Sequence, residues 1–314
     1  MKHFREYAVL LVVIIGIGLY LALRSSDGVQ YELPSLESVP TKEVDAVSIR
    51  SGEGSLSLRR ANGTWSIPDK GYEANEDEVH KMLRKAADPE ITALVSESGD
   101  YSRYHLDQKR RIRVRLLRDG EVVRELYLGK GAGQVQNTYV RLPEDQNVYM
   151  AEKDLRGSFD VTAADLRDRT VFRLDPEKAR GVRISGKNAS SRFQRRAASS
   201  KDANRTEPGV WMTGQGQAVR TEPMESLLRT LKDLRCRNYK QGLSRNGTTY
   251  TIAVRANATH RLRLFVPEKK RPGAYEAESS QTPDPFELPG YLGQELISSV
   301  EKLLREPTGE AGSR

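Results

Sequence analysis

The two halves of the sequence repeat one pattern of strands and a helix. In the first half, an alternating apolar segment around Val47 precedes a strand-like segment that contains Trp65. In the second half, a similar segment around Val182 precedes Trp211, and an amphipathic helix pattern follows each tryptophan. Repetition of this kind indicates two copies of one structural unit. We therefore predict an α+β chain with two tandem modules of mainly antiparallel strands, each with a covering helix.

Both predicted helices carry start signals. Asn75 is a suitable N-cap, and Glu78 lies three residues further on, as in a capping box. In the second half, Thr221 is the predicted cap and Pro223 lies in the tolerant first turn. Both helices continue with apolar residues at helical spacing, which predicts one buried face on each. The tryptophans ahead of them are interpreted as core residues.

The repeat and its flanking composition set the predicted domain bounds. The first α+β module is predicted over residues 44–175, and the second over residues 176–306. A basic flexible insertion, 186–208, is expected within the second module, because Lys, Arg, Ser and Ala dominate it. Segments without periodicity are interpreted as a tether, 24–43, and a disordered tail, 307–314.

An uncharged apolar stretch, Tyr7 to Leu23, follows the basic residues Lys2 and Arg5. As a helix it would be about 26 Å long, close to the thickness of about 30 Å of a hydrocarbon core. A cleaved signal peptide is the alternative, but no A-x-A site ends the stretch. We therefore predict a single transmembrane anchor at 7–23, a cytoplasmic N-terminus at 1–6, and the modules on the outer side of the membrane.

The net charge of +8 raises the question of an anionic partner. Much of the excess lies in Lys187 to Arg205, where Phe193 is the single aromatic residue. Binders of single-stranded nucleic acid combine basic grooves with several stacking aromatics, so nucleic acid is an unlikely partner. Membrane headgroups or anionic polymers are better candidates for the basic surfaces.

A ladder of arginines alternates with apolar residues in one predicted strand, at Arg111, Arg113 and Arg115. This face is either a polyanion site or an exposed face that pairs with acidic neighbours. The following strand carries Glu121 and Glu125, which could neutralise the ladder across the strands.

Motifs that carry chemistry are not evident. The four histidines are scattered, and Cys236 is the single cysteine, so neither a paired metal-ligand set nor a disulfide is predicted. The glycine-rich segment 129–133 lacks the Lys-Ser/Thr ending of a P-loop and is interpreted as a turn between strands. We predict no catalytic, cofactor-binding or metal residues, and we expect the protein not to be an enzyme.

A series of short motifs resembles the family called domain of unknown function 4340. The motifs are Trp65-x-x-Pro68, the cap at Asn75, Tyr104-His105-Leu106-Asp107, Leu128-Gly129, Tyr139, Val148-Tyr149 and Leu166-Arg167-Asp168-Arg169. The resemblance covers most of Val44 to Phe172 and, more loosely, the second half. It implies a single-pass protein of the bacterial cytoplasmic (inner) membrane, with its large domain in the periplasm or outside. It also implies an association with ABC-type export or gliding motility.

From the resemblance we expect a non-catalytic accessory component whose partners are ABC-transporter subunits or an envelope complex. The alternative is an envelope enzyme that acts on a polysaccharide or peptide.

Overall fold

The computed structural model describes residues 13–20, 32–133, 136–196, 209–245, 247–267 and 273–305. The chain divides into two compact units, with the division after Arg167. The sequence predicted this boundary between residues 175 and 176. Residues 168–175 instead belong to the second unit, where the strand Thr170–Arg173 pairs with the strand Asp233–Arg235.

The first unit is built around a nine-stranded sheet in the order β4-β3-β2-β1-β6-β7-β8-β9-β5. Its strands are β1 (Ala46–Ser51), β2 (Gly54–Ala61), β3 (Thr64–Ile67), β4 (Tyr72–Glu73), β5 (Ile91–Ser96), β6 (Ile112–Arg118), β7 (Glu121–Ala132), β8 (Asn137–Arg141) and β9 (Val148–Ala151). Its helices are α1 (Glu76–Ala87), α2 (Leu155–Phe159) and α3 (Ala163–Leu166), with short 3-10 turns at Pro68–Lys70 and Ser102–Tyr104.

The second unit has an eight-stranded sheet in the order β13-β12-β11-β16-β17-β18-β19-β15 and a separate β10-β14 pair. Its strands are β10 (Thr170–Arg173), β11 (Gly181–Ser185), β12 (Ser190–Arg196), β13 (Val210–Thr213), β14 (Asp233–Arg235), β15 (Asn238–Tyr239), β16 (Thr248–Arg255), β17 (Thr259–Val266), β18 (Ala274–Ser279) and β19 (Phe286–Pro289). Its helices are α4 (Thr221–Leu231) and α5 (Gly290–Arg305).

The two sheets share one topology. Without the edge strand β4, the first order corresponds strand by strand to the second, and the described pairings are antiparallel in both. The register also corresponds. Val47 faces Leu58 and Leu116 in the first unit, while Val182 faces Phe193 and Val254 in the second. Equivalent positions can therefore be compared residue by residue.

In each unit, one face of the sheet packs against helices. The α1 residues Val79, Met82, Leu83 and Ala86 are buried against the first sheet, and the α4 residues Met224, Leu227, Leu228 and Leu231 lie in the core of the second. Burial of each large apolar side chain contributes about 1.5–3 kcal/mol. Trp65 is fully buried, and Trp211 retains 8% of its exposure. Both tryptophans are core residues, as the sequence predicted.

The helix starts differ from expectation in one unit. The Asn75 side chain accepts hydrogen bonds from the backbone N–H groups of Asp77 and Glu78, at 3.1 and 3.4 Å. In the second unit the N-cap is Arg220 rather than Thr221, and its side chain makes no capping hydrogen bond. The prediction that Thr221 caps α4 is therefore wrong, because the helix begins one residue earlier than the sequence signal suggested.

The predicted fold class began with a transmembrane helix over residues 7–23, and this part is wrong. Among the described residues, no helix is long and apolar enough to cross a membrane. Residues 13–20 are helical and exposed. The other residues of the predicted span, and the predicted N-terminus at 1–6, lie outside the described residues.

The predicted flexible insertion, 186–208, also needs correction over its first part. Ser190–Arg196 forms the strand β12, which pairs with both β11 and β13. Phe193 places a fully buried ring on the helix-covered face and fixes this strand in the sheet. Residues 197–208 lie outside the described residues, as does the predicted tail 307–314. Within the predicted tether, residues 32–43 lack helix and strand, and the Val39 N–H donates to the Ala87 carbonyl at 3.3 Å.

Candidate functional site

The outer face of the second sheet, opposite its helices, carries a row of arginines. Alternation along each strand turns Val182 and Ile184 inward and leaves Arg183 exposed on the outer face. The strand register then aligns four outer residues across neighbouring strands: Arg192 on β12, Arg183 on β11, Ala253 on β16 and Arg261 on β17. Two arginines thus face each other directly, and a third lies beyond the small alanine.

These arginines line a hollow of about 550 Å³, which we call the basic groove. Its charged residues are Arg183, Arg192, Arg255, Arg261 and Arg263, and small residues such as Gly181 and Ala253 also line it. This volume is within the range of about 300–1,000 Å³ that small-ligand sites occupy in proteins.

The carboxylates near the basic groove are already paired. Glu278 binds Arg263 at 2.6 Å. Glu276 and Glu287 both lie close to the ammonium of Lys240, at 2.5 and 3.4 Å. Within the described part of the chain, no carboxylate forms an ion pair with the exposed residues Arg183, Arg192, Arg255 and Arg261. Among the described residues, this cluster of guanidinium groups therefore has no ion-pair partner, and it can interact with solvent or with an anion.

The ion pair of Lys240 and Glu276 stabilises the charged forms of both groups. The hydrogen bond to Glu276 raises the pKa of Lys240, and the nearby Glu287 adds to the effect. Burial acts to raise the pKa of Glu276, but hydrogen bonds from Lys240 and Ser244 outweigh it and hold that pKa below its usual value. Both groups are charged at neutral pH, so Glu276 is not available to neutralise the arginines.

The equivalent face of the first unit is closed, by which we mean that its central carboxylate already pairs with arginines of the same face. Glu125, which corresponds by register to Arg261, accepts hydrogen bonds from the Nε atoms of Arg113 and Arg115, both at 2.7 Å. The serines Ser48 and Ser57 occupy the positions of Arg183 and Arg192. Two arginines of the ladder that the sequence singled out, Arg113 and Arg115, thus pair with an acidic residue of the following strand, as one of its two interpretations proposed.

Aromatic rings complete this closed face. Tyr127 lies between the guanidinium groups of Arg111 and Arg141, each 4.3 Å from the centre of the ring. Tyr104 and Tyr139 stack edge to face, with their centroids 4.9 Å apart. Cation–π contacts of this kind contribute about 0.5–1 kcal/mol each at exposed sites. Arginine side chains of this face thus lie against its aromatic rings.

The sequence predicts a turn at the glycine-rich segment 129–133, but residues 129–132 continue the strand β7. A Cβ atom at Gly129 would lie 2.3 Å from the carbonyl oxygen of Tyr104. Glycine is therefore required at this position by close backbone packing, and no phosphate-binding role is needed to explain it.

The described residues include a close pair of an amine and a hydroxyl group. The ammonium of Lys85 lies 2.5 Å from the Ser158 hydroxyl, but both groups also donate to the Asp154 carbonyl, at 3.2 and 3.0 Å. This arrangement fastens α1 to α2. Among the described residues, no group of three His, Cys, Asp or Glu side chains is placed to hold a metal ion.

The arginines of the basic groove were not identified from the sequence. Their signal is a single arginine between apolar residues in each of several strands, as in Val182-Arg183-Ile184. Many exposed sheet faces have the same pattern, so only the register brings these residues together.

The fold and the groove define a two-unit antiparallel β protein with one open, basic sheet face. The model of the family described as "Domain of unknown function (DUF4340)" matches residues 65–252, and the chain belongs to this family. No curated protein and no solved structure matches the chain significantly.

Proposed function

We propose that this protein is a non-catalytic binding component and that its second unit holds an anionic partner in the basic groove. The observation that carries this proposal is the aligned row Arg192, Arg183, Ala253 and Arg261, which lacks carboxylate partners among the described residues. Guanidinium groups bind carboxylates and phosphates through two parallel hydrogen bonds, so such a row suits an anionic ligand.

Energetics supports this proposal. Like charges that face each other across antiparallel strands destabilise a sheet, and Arg183 directly faces Arg192. At the equivalent positions the first unit has Ser57 and Ser48, which avoid this repulsion. An anion that bridges the two guanidinium groups would turn the repulsion into attraction.

The finer role follows from the family resemblance alone. We propose an accessory role in ABC-type export or in an envelope assembly, with subunits of that system as the partner. The alternative of an envelope enzyme and the predicted location at the inner membrane stay predictions.

Binding of anionic probes to the full chain tests the proposal. Fluorescein-labelled polyglutamate and polyphosphate should bind the wild type, and the double substitution Arg183→Ser and Arg192→Ser should weaken binding about ten-fold or more. The matched control is Arg84→Ser with Arg229→Ser, which removes the same charge from exposed helix positions. Equal affinities for the two double variants would contradict the proposal.

A second variant introduces an ion pair into the groove, so that an arginine and a glutamate of the groove bind each other. Ala253→Arg with Arg261→Glu copies the Arg115–Glu125 pair of the first unit into equivalent positions. This variant should fold, as judged by circular dichroism, and should lose groove-dependent binding. Unchanged binding by a folded variant would argue against the groove as the site.

A further inference from the structure

The basic groove continues into a second hollow of about 530 Å³, which shares Thr259, Arg261 and Arg263 with it. The additional lining residues of this hollow include Leu243, Pro283 and Pro285, together with Arg245 and Glu278. The outer face therefore forms an elongated trough that is basic throughout and, at one end, also carries apolar side chains and a carboxylate.

We propose that the occupant of this trough is an extended acidic segment of a partner polypeptide, with its carboxylates at the arginines and an apolar residue beside Leu243 and the two prolines. This inference rests on the proposed function and names the chemical class of the partner.

The apolar part of the lining favours a polypeptide over a uniform polyanion. A polymer with an anionic group on every unit has no apolar group to place beside Leu243, Pro283 and Pro285. A polypeptide can change its side chain at each residue. It can therefore present carboxylates to the arginine row and an apolar side chain to Leu243 within one short segment.

The spacing of the arginines sets a second requirement. Arg183 and Arg261 lie on strands that are separated by β16, so their backbones are about 10 Å apart at the usual distance between strands. In a polyproline II segment, residues i and i+3 lie on one side, about 9 Å apart. Two carboxylates three residues apart would therefore reach Arg183 and Arg261.

Short labelled peptides provide the test. The first carries two glutamates three residues apart, followed by leucine and proline. The second replaces both glutamates with glutamines, and the third places the glutamates next to each other. Fluorescence anisotropy with the full chain should give the tightest binding for the first peptide, and about ten-fold weaker binding for the glutamine peptide. The third peptide should bind less tightly than the first.

Protein variants test which side chains contact the acidic part of the peptide and which contact its apolar part. Arg183→Ser with Arg192→Ser should weaken binding of the acidic peptide but not of its glutamine form. Leu243→Ser should weaken both peptides by a few-fold, since it removes apolar contact alone. The control pair Arg84→Ser and Arg229→Ser should leave both affinities close to those of the wild type.

The outcomes separate this inference from the proposed function. If polyphosphate or heparin binds in a way that depends on Arg183 and Arg192 while the peptides do not, the groove is an anion site and the peptide class is wrong. If no probe depends on these arginines, both proposals fail. Equal affinity of the first and third peptides would overturn the spacing argument.

Discussion

The two units share one strand order but treat the outer faces of their sheets differently. In the first unit, the row Ser57, Ser48, Arg115 and Glu125 contains one positive and one negative charge. In the second, the equivalent row Arg192, Arg183, Ala253 and Arg261 contains three positive charges. The same backbone therefore supports one face that is closed and one that is open.

The difference indicates which face of the repeated fold is free to take on a function. Helix-covered faces must be apolar in both units, because burial against α1, α4 and α5 stabilises the fold. The outer faces have no such requirement and are free to diverge. An outer face whose charges and rings satisfy each other contributes to stability, whereas a face that leaves like charges together requires another explanation, for which we propose binding.

The tryptophan positions test whether the two cores are equivalent. Trp65→Ala should lower the free energy of unfolding of the first unit by about 3–5 kcal/mol, because it leaves a large cavity. Trp211→Ala should cost the second unit less, since Trp211 retains 8% exposure and Trp65 none. Urea unfolding followed by circular dichroism measures both, and the remaining tryptophan reports on the other unit by fluorescence.

A control separates volume from hydrogen bonding at this position. The Trp65 Nε1 atom is buried and has no hydrogen-bond partner among the described residues, so Trp65→Phe should cost much less than Trp65→Ala. A larger effect of Trp211→Ala than of Trp65→Ala would contradict the ranking of the two cores.

Among the outer residues, the equivalent positions Glu125 and Arg261 should differ most clearly in how much a substitution lowers the free energy of unfolding. Glu125 is 10% exposed and binds two arginines, so Glu125→Ala should cost about 2–3 kcal/mol by leaving both without their partner. Arg261→Ala, at an exposed position, should change stability by no more than about 0.5 kcal/mol. Chemical denaturation of the two single variants provides the comparison. Similar losses at both sites would show that the second face also depends on its charges for stability.

Tyr250 of the second unit corresponds by register to Ile112 of the first. At this position, therefore, only the second unit has a titratable side chain. Burial and a 2.7 Å hydrogen bond to Glu301 raise its pKa from 10.0 to about 12. The folded state thus holds the proton more tightly than the unfolded state does. The resulting stability is present below pH 10 and is lost as the pH rises toward 12.

Tyr250→Phe should remove this pH dependence and, at neutral pH, should cost about 1–2 kcal/mol for the lost hydrogen bond to a carboxylate. Thermal unfolding of the wild type and the variant between neutral and alkaline pH measures both effects. The same alkaline slope in the two proteins would assign the loss to other groups.

Local patterns in the sequence predicted much of each unit. The alternation at Val47 and Val182, the cap at Asn75 and the buried tryptophans are short-range signals, and the structure has them as expected. The strand β12 was missed because Phe193 is its single fully buried residue, and the surrounding serines and arginines are typical of a solvated loop. Among the described residues, no helix is long and apolar enough to be the membrane span that the apolar run at 7–23 predicts.

The basic groove could not be predicted, for a different reason. Arg183, Arg192 and Arg261 come together only through the register of four strands, and register depends on pairings that are distant in sequence. The ladder at Arg111, Arg113 and Arg115 is visible in the sequence because it lies along one strand, but Arg113 and Arg115 pair with Glu125 in the next strand. A run of charge along one strand is visible in the sequence, whereas a row across strands becomes visible only in the structure.

The smallest expected difference concerns the first turns of α1 and α4. Asn75→Ala should cost about 1 kcal/mol, because two N–H groups of α1 lose their acceptor. Thr221→Ala should change stability by less than about 0.5 kcal/mol, since Thr221 is exposed and is not the N-cap. Paired urea unfolding curves resolve the two values.

Equal losses from Asn75→Ala and Thr221→Ala would contradict the assignment of the caps. A difference in the expected direction would indicate that local hydrogen bonds define where α1 begins, whereas packing positions α4. Thr230 and Ser226 of α4 contact the Glu295 carboxylate of α5, at 2.9 and 3.3 Å. The second long helix, α5, thus provides side-chain contacts that can hold α4 in place of a cap.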